Sequence, residues 1–283
     1  MDKLKKAKLG IGSYSYFFSS TGEGRFKLVN YGFTNNNPWT IEKFVDRAVE
    51  LGVRYVQLAD NYALDELSEA ELIKSGQYAK NNGVILESGM RGIMPDQFEK
   101  YIKLSQLLGV EKLRCVIDNG DFKPSIEDAS SIINEMIPEL KKSNIILGVE
   151  NHDRITTEEF AKIMNNTASS YVGMIIDTVN SFSTMEPTVK IMETLSPFAV
   201  ELHIKDYTIE RRKDAQGLVI KGTVAGEGML DIPYVIEMMK KNARSDFSTI
   251  LEFWMEPEKS LELSIIKENE WVEKSLAYLK SII

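Results

Sequence analysis

A chain of 283 residues with 43% hydrophobic and 27% charged side chains can bury a large core without disulfide staples. Its formal net charge of -8 excludes a general binder of nucleic acid or anionic membrane, because phosphate surfaces attract Lys and Arg. Cys115 is the only cysteine, residues 1–8 are charged rather than signal-like, and no apolar run reaches the roughly 20 residues of a membrane helix. The chain is therefore expected to be cytoplasmic, with no intramolecular disulfide.

Short runs rich in Val, Ile and Leu alternate along the chain with longer stretches of helical periodicity. In order, the predicted strands are residues 9–16, 55–59, 84–87, 112–117, 145–150, 172–177, 200–204 and 249–253. Amphipathic segments at 41–51, 96–108, 125–142 and 232–241, and a final helix at 261–282, would cover the outside of a parallel sheet. Eight strand–helix pairs without a Gly-rich dinucleotide fingerprint predict an α/β fold closed as a (β/α)8 TIM barrel, one domain over 1–283, rather than an open doubly wound sheet. Two long non-helical excursions follow the first and seventh strands: residues 17–37, with Gly22, Gly24 and Gly32, and residues 207–228. They read equally as lids over a barrel mouth or as surface insertions.

All strands of a parallel barrel end at one rim, so residues at those ends converge however distant in sequence. Here the ends are polar: ILGVENHD finishes on Glu150, Asn151 and His152, GMIIDTVN carries Asp177, VELHIKDY carries His203, and ILEFW carries Glu252. Strand-end carboxylates also cap helices or pair with Lys and Arg, and His152 alone can be a hydrogen-bonding loop residue. Three carboxylates and an imidazole at one mouth are costly to bury unless a cation neutralises them. Glu150, Asp177, His203 and Glu252 are therefore candidate ligands of one divalent ion, Mn2+ first, with Mg2+, Co2+ or Zn2+ as alternatives.

The segments GVENHDR, IIDTVNSF, ELHIKDY, GTVAGEG and ILEFW, in this order and at these strand positions, resemble the xylose-isomerase-like TIM-barrel family of sugar isomerases and epimerases. The resemblance spans essentially the whole chain. It implies that the same four residues hold the metal and that Glu150 and Glu252 also act as acid and base. Such proteins often carry a histidine three residues after the ligand aspartate, where this chain has Asn180, an amide that does not titrate near neutrality. VQLADN, LESGMRG, ENHDR, DTVNSF and HIKDYTIERR together resemble the 3-oxoisoapionate decarboxylase-like subgroup.

The reaction expected first is isomerisation or epimerisation of a small keto-sugar or sugar derivative through an enediolate, with Glu150 and Glu252 on opposite faces. The alternative is a lyase: a 3-oxo sugar acid can lose CO2, or a related compound water, through the same kind of enolate. A multi-metal apurinic endonuclease is disfavoured by two histidines and the negative charge, and a non-enzymatic carbohydrate-binding module has no need of an acid–base pair at a metal. Asn61, Tyr62, Glu87, Arg91, Arg114, His152, Asn180, Lys205 and Arg212 are candidate substrate contacts near the mouth. Arg91, Arg114 and Lys205 either hold a substrate anion or neutralise rim carboxylates. The expected partner is a small carbohydrate-like molecule. Apolar residues of the last helix either complete the barrel or bury a homo-oligomer interface.

Overall fold

The elements appear in the order that the apolar alternation dictates. They are β1 (Leu9–Gly12), α1 (Phe17–Ser20), α2 (Ile41–Leu51), β2 (Tyr55–Leu58), α3 (Glu69–Asn81), β3 (Ile85–Arg91), α4 (Pro95–Leu108), β4 (Lys112–Val116), α5 (Ile126–Ser143) and β5 (Ile146–Glu150). There follow α6 (Thr157–Thr167), β6 (Val172–Asp177), α7 (Thr188–Leu195), β7 (Ala199–Ile204), β8 (Asp206–Arg211), β9 (Leu218–Thr223), α8 (Ile232–Asn242), β10 (Ser248–Leu251) and α9 (Leu261–Ile282). The computed structural model describes residues 8–22, 28–213 and 216–283, so the charged segment 1–7 and Gly24 lie outside the described residues.

Eight parallel strands close a barrel in the order β1-β10-β7-β6-β5-β4-β3-β2. β6 and β7 are buried at every position; β6 accordingly reads as a nearly continuous apolar run, whereas β7 alternates, with Glu201 and His203 on one face. Local chemistry starts and stops the helices. Ser68 and Glu71 form a reciprocal capping box at the start of α3, as do Thr156 and Glu159 for α6, while Gly52 adopts a left-handed conformation after α2. Outward strand residues such as Ile176 and Leu202 pack with Ile191, Leu195 and Val235 of the surrounding helices in one continuous core. Among the described residues, no helix is long and apolar enough to cross a membrane.

Three expectations about elements need correction. The first strand ends at Gly12, and residues 13–20 are helical, instead of the strand running to Tyr16 and leading into a non-helical excursion. The third strand continues through Ser88 and Gly89 to Arg91, instead of stopping at Glu87. A Cβ on Gly89 would lie 2.7 Å from the Ala59 Cα, so the glycine permits close approach of two strands and does not make a turn. The excursion at 207–228 is largely an antiparallel hairpin, β8 with β9, outside the barrel sheet. Its return loop is gathered by Asp206, whose carboxylate accepts backbone N–H groups from Gly226, Gly228 and Leu230 at 2.9, 3.0 and 3.1 Å.

Candidate metal centre

Parallel strands with period-2 side chains bring four distant residues to one point. Glu150 and Asp177 close β5 and β6, His203 lies near the end of β7, and Glu252 follows β10, its N–H still donating to Ile204 O at 3.0 Å. One ligand atom from each of the four lies within 4.8 Å of the others, and all four side chains are buried.

Each side chain is held from behind. His203 Nε2 lies 2.7 Å from Glu201 Oε1, which turns Nδ1 toward the cluster, 3.6 Å from Glu252 Oε1 and 3.8 Å from Glu150 Oε1. Asp177 Oδ1 accepts from the Val179 and Asn180 N–H groups at 2.8 and 2.9 Å, leaving Oδ2 for the centre. Glu150 is engaged at both oxygens: Arg114 Nε donates to Oε2 and Asn180 Nδ2 to Oε1 at 2.8 Å. Lys205 Nζ lies 2.7 Å from Asp177 Oδ2 and 3.0 Å from Glu252 Oε2.

The charges perturb one another strongly. Burial alone would raise the Glu150 pKa, but Arg114, His203 and Lys205 together hold it well below the usual carboxylate range. Burial would lower that of His203, yet the carboxylates of Glu252, Glu150 and Glu201 carry it well above an ordinary imidazole. His203 Nδ1 and Glu252 Oε1 are buried without a hydrogen-bond partner, an arrangement that is expensive unless something else satisfies them. Three carboxylates and one imidazole nitrogen, two of their atoms orphaned, fit a hard or borderline divalent cation.

A second polar layer lies beneath. Lys112 Nζ bridges Glu87 Oε1 at 2.8 Å and Glu201 Oε2 at 2.7 Å, Ser248 Oγ lies 3.0 Å from an oxygen of each carboxylate with one hydroxyl proton to share between them, and Gln57 Nε2 reaches Glu201. Burial, with the adjacent Glu201 charge, pushes the Glu87 pKa upward. Glu201 thus joins this layer to His203.

The profile of the xylose isomerase-like TIM barrel family matches residues 45–282. The chain belongs to this family. Its relatives include the 3-oxo-isoapionate decarboxylase of Pectobacterium atrosepticum, 27% identical over 271 residues, covering 96% of this chain and 94% of that protein. Among solved structures, a D-psicose 3-epimerase crystallised in the presence of D-fructose aligns with a TM-score of 0.70 at 17% identity, over 97% of this chain and 99% of the other. A xylose isomerase-like TIM barrel protein from Mycobacterium smegmatis in complex with magnesium aligns with a TM-score of 0.67 at 12% identity, over 99% and 100% of the two chains. At such identities the structural likenesses show a shared fold.

The remaining candidates of this family member divide sharply. Arg114, Asn180 and Lys205 contact the four-residue cluster directly, while Arg91 and His152 contact each other and reach it only through Asp60 and Arg114. Arg114 is 1% exposed and ion-paired with Glu150 and Asp60, and Lys205 is ion-paired with Asp177 and Glu252, the rim-neutralising arrangement of the two that the sequence offered. Glu87 is corrected outright: it is mid-strand, in the layer below, against Lys112. Asn61 fastens the rim of β1 to that of β2, its Oδ1 accepting from Ser13 Oγ at 2.5 Å and its Nδ2 donating to Ser13 O at 3.2 Å. Tyr62 packs edge-on to Phe44 in the core, with ring centroids 6.0 Å apart. Arg212 is exposed at the tip of the β8–β9 hairpin and is not brought to the cluster. Burial pushes the Cys115 thiol up to about 12, leaving it a packing residue.

Sequence reasoning missed Asp60 and Glu201. Asp60 accepts from Arg114 Nη1 at 2.5 Å, Arg91 Nε at 2.9 Å and the Tyr14 hydroxyl at 3.2 Å, so it organises the rim near Glu150. It ends the second apolar run, where the same strand-end rule would have found it. Glu201 sits two residues before His203, on the same face of β7, and that period was its signal.

Proposed function

We propose that the chain is a metal-dependent lyase that removes CO2 from a small 3-oxo sugar acid. The observation that carries this reading is the unequal state of the two glutamates. Glu150 is locked as an anion by Arg114 and Asn180, whereas Glu252 Oε1 has no hydrogen-bond partner and its Oε2 faces only Lys205. Both Glu150 oxygens already accept hydrogen bonds while Glu252 Oε1 accepts none, so the geometry offers one free acid–base group and not two. Decarboxylation needs one. The relationship to 3-oxo-isoapionate decarboxylase along nearly the whole chain supports the same choice.

Glu150, Asp177, His203 and Glu252 would hold the ion, with Glu201 fixing the His203 ring. A bound divalent cation supplies Lewis-acid polarisation of the substrate carbonyl. In the reaction, the bond between the carboxylate carbon and the neighbouring carbon breaks, its electron pair delocalises toward the 3-oxo group, and CO2 leaves. The carbanionic carbon then takes one proton, which Glu252 would relay after accepting it from solvent, returning to its carboxylate form; the reaction consumes one solvent proton per CO2 released. Arg114 and Lys205 keep the surrounding charge balanced in a site from which water is largely excluded.

Epimerisation is the second reading, favoured by one observation: Glu150 and Glu252 stand on strands separated by β6 and β7 and so flank the centre. It requires Arg114 to release Glu150. Incubation of Mn2+-loaded protein with 3-oxo sugar acids and with neutral ketoses in D2O separates the two. CO2 equal to acid consumed, with one deuterium in the ketose formed, is the expected result. Deuterium exchange or epimer formation from neutral ketoses, without CO2 from any acid, would overturn the lyase reading.

A further inference from the structure

The ion pairs beside Glu150 form a chain running outward: Glu150 to Arg114, Arg114 to Asp60, Asp60 to Arg91. The side chains of the first three are at most 5% exposed, while that of Arg91 is 26% exposed. Arg114 divides its single charge between Glu150 and Asp60, so Arg91 completes the neutralisation of these two carboxylates while its side chain stays partly exposed at the rim. Arg91 spends only its Nε on Asp60, at 2.9 Å. Its Nη2 meets His152 Nε2 at 3.3 Å, and Nη1 makes a long ion pair, 3.6 Å, with the half-exposed Asp153 Oδ2. Arg154 makes the contrast: it gives both Nε and Nη2 to Asp118 at 2.9 Å, and is fully committed. Arg91 is also the last residue of β3, so it stands on the rim, and His152 follows the ligand Glu150 by two residues.

We propose that Arg91 is the carboxylate-binding residue of the substrate pocket, held in place by Asp60 from one side and His152 from the other. A planar guanidinium anchored through Nε presents its remaining N–H groups as a fork, which matches the two oxygens of a carboxylate in a way a lysine does not. The partner chemistry is a short acyclic or branched sugar acid, ionised, whose keto group reaches the centre while its carboxylate stays at the rim on the β2 to β5 side. Asp60 and His152 are positioning residues. The proposal rests on the lyase reading for the identity of the substrate, but the subsite itself recognises any small hydroxy-carboxylate of matching size.

The test uses Mn2+-loaded full-length protein and two probes, a four-carbon aldonate and the neutral four-carbon ketose, titrated calorimetrically against wild type, Arg91→Ala and Arg91→Lys. Arg91→Ala is expected to weaken aldonate binding about 10- to 100-fold, the size of a lost charge-assisted pair, while leaving ketose and Mn2+ affinities within twofold. Arg91→Lys, which keeps the charge and loses the fork, should fall between, and serves alone if the alanine variant does not fold. Equal losses for aldonate and ketose, or unchanged aldonate affinity, would overturn the subsite. With a 3-oxo sugar acid, the same variants should raise KM with kcat little changed. Undiminished CO2 release at wild-type KM refutes the subsite and spares the lyase reading. Arg91-dependent aldonate binding without any CO2 release does the reverse.

Discussion

Replacing Glu201 with Gln probes how the barrel interior governs the centre. The carboxylate lies 2.7 Å from His203 Nε2 and 2.7 Å from Lys112 Nζ, with Ser248 Oγ at 3.0 Å. Gln preserves the volume and one acceptor oxygen, so the ring keeps a partner but loses the charge that strengthens it as a ligand. Loss of such a backing carboxylate typically lowers metal affinity 10- to 100-fold, about 1.4–2.8 kcal/mol. The effect on folding should be smaller than the roughly 3–5 kcal/mol of a broken buried pair, because Lys112 retains Glu87 at 2.8 Å. Calorimetric titration of the metal-free protein with Mn2+ gives the first quantity and urea denaturation the second. An unchanged Mn2+ dissociation constant in a folded Glu201→Gln protein would refute the reasoning.

Three other outcomes follow from the same geometry. The carboxylates around His203 hold its pKa above the ordinary value in the metal-free chain, so a proton competes with the cation. Apparent Mn2+ affinity should therefore rise with pH and level off once pH exceeds the His203 pKa; affinity falling as pH rises across that range contradicts the assignment. Gly228→Ala would place a Cβ 2.1 Å from Asp206 Oδ1 and 2.6 Å from Tyr207 O, and should cost about 1–3 kcal/mol by disturbing the loop that Asp206 gathers. Urea denaturation checks it, wild-type stability being the contrary result. Glu252→Gln should reduce turnover at least 100-fold while leaving the fold intact by circular dichroism, since it removes the one acid–base group free of hydrogen bonds at Oε1.

Much of this was legible in the sequence for a physical reason. Parallel strands covered on both faces are largely apolar, so β5 and β6 announce themselves, and a polar residue at the end of such a run is conspicuous. Glu150, Asp177, His203 and Glu252 were found that way, and the structure brings them within 4.8 Å. Charged residues inside the barrel were harder to place. Lys112 and Arg114 point inward from β4 because Glu87, Glu201, Glu150 and Asp60 wait for them across the sheet, and nothing in the local sequence encodes partners that arrive from four other strands. Glu87 was misplaced for a related reason: Ser88 and Gly89 look like a turn, but Gly89 is where β3 presses against Ala59. The β8–β9 hairpin was hidden because both strands are largely exposed and lack the alternation a packed face imposes.

The most direct measurement is the stoichiometry of cation binding at the four-residue cluster, read by electron paramagnetic resonance of added Mn2+. Metal-free protein should take up one Mn2+ per chain, and Asp177→Ala and His203→Ala should each abolish that uptake while the barrel remains folded. Stoichiometric binding that survives both substitutions, or no binding by the unaltered chain, would contradict the assignment of these side chains as the metal centre.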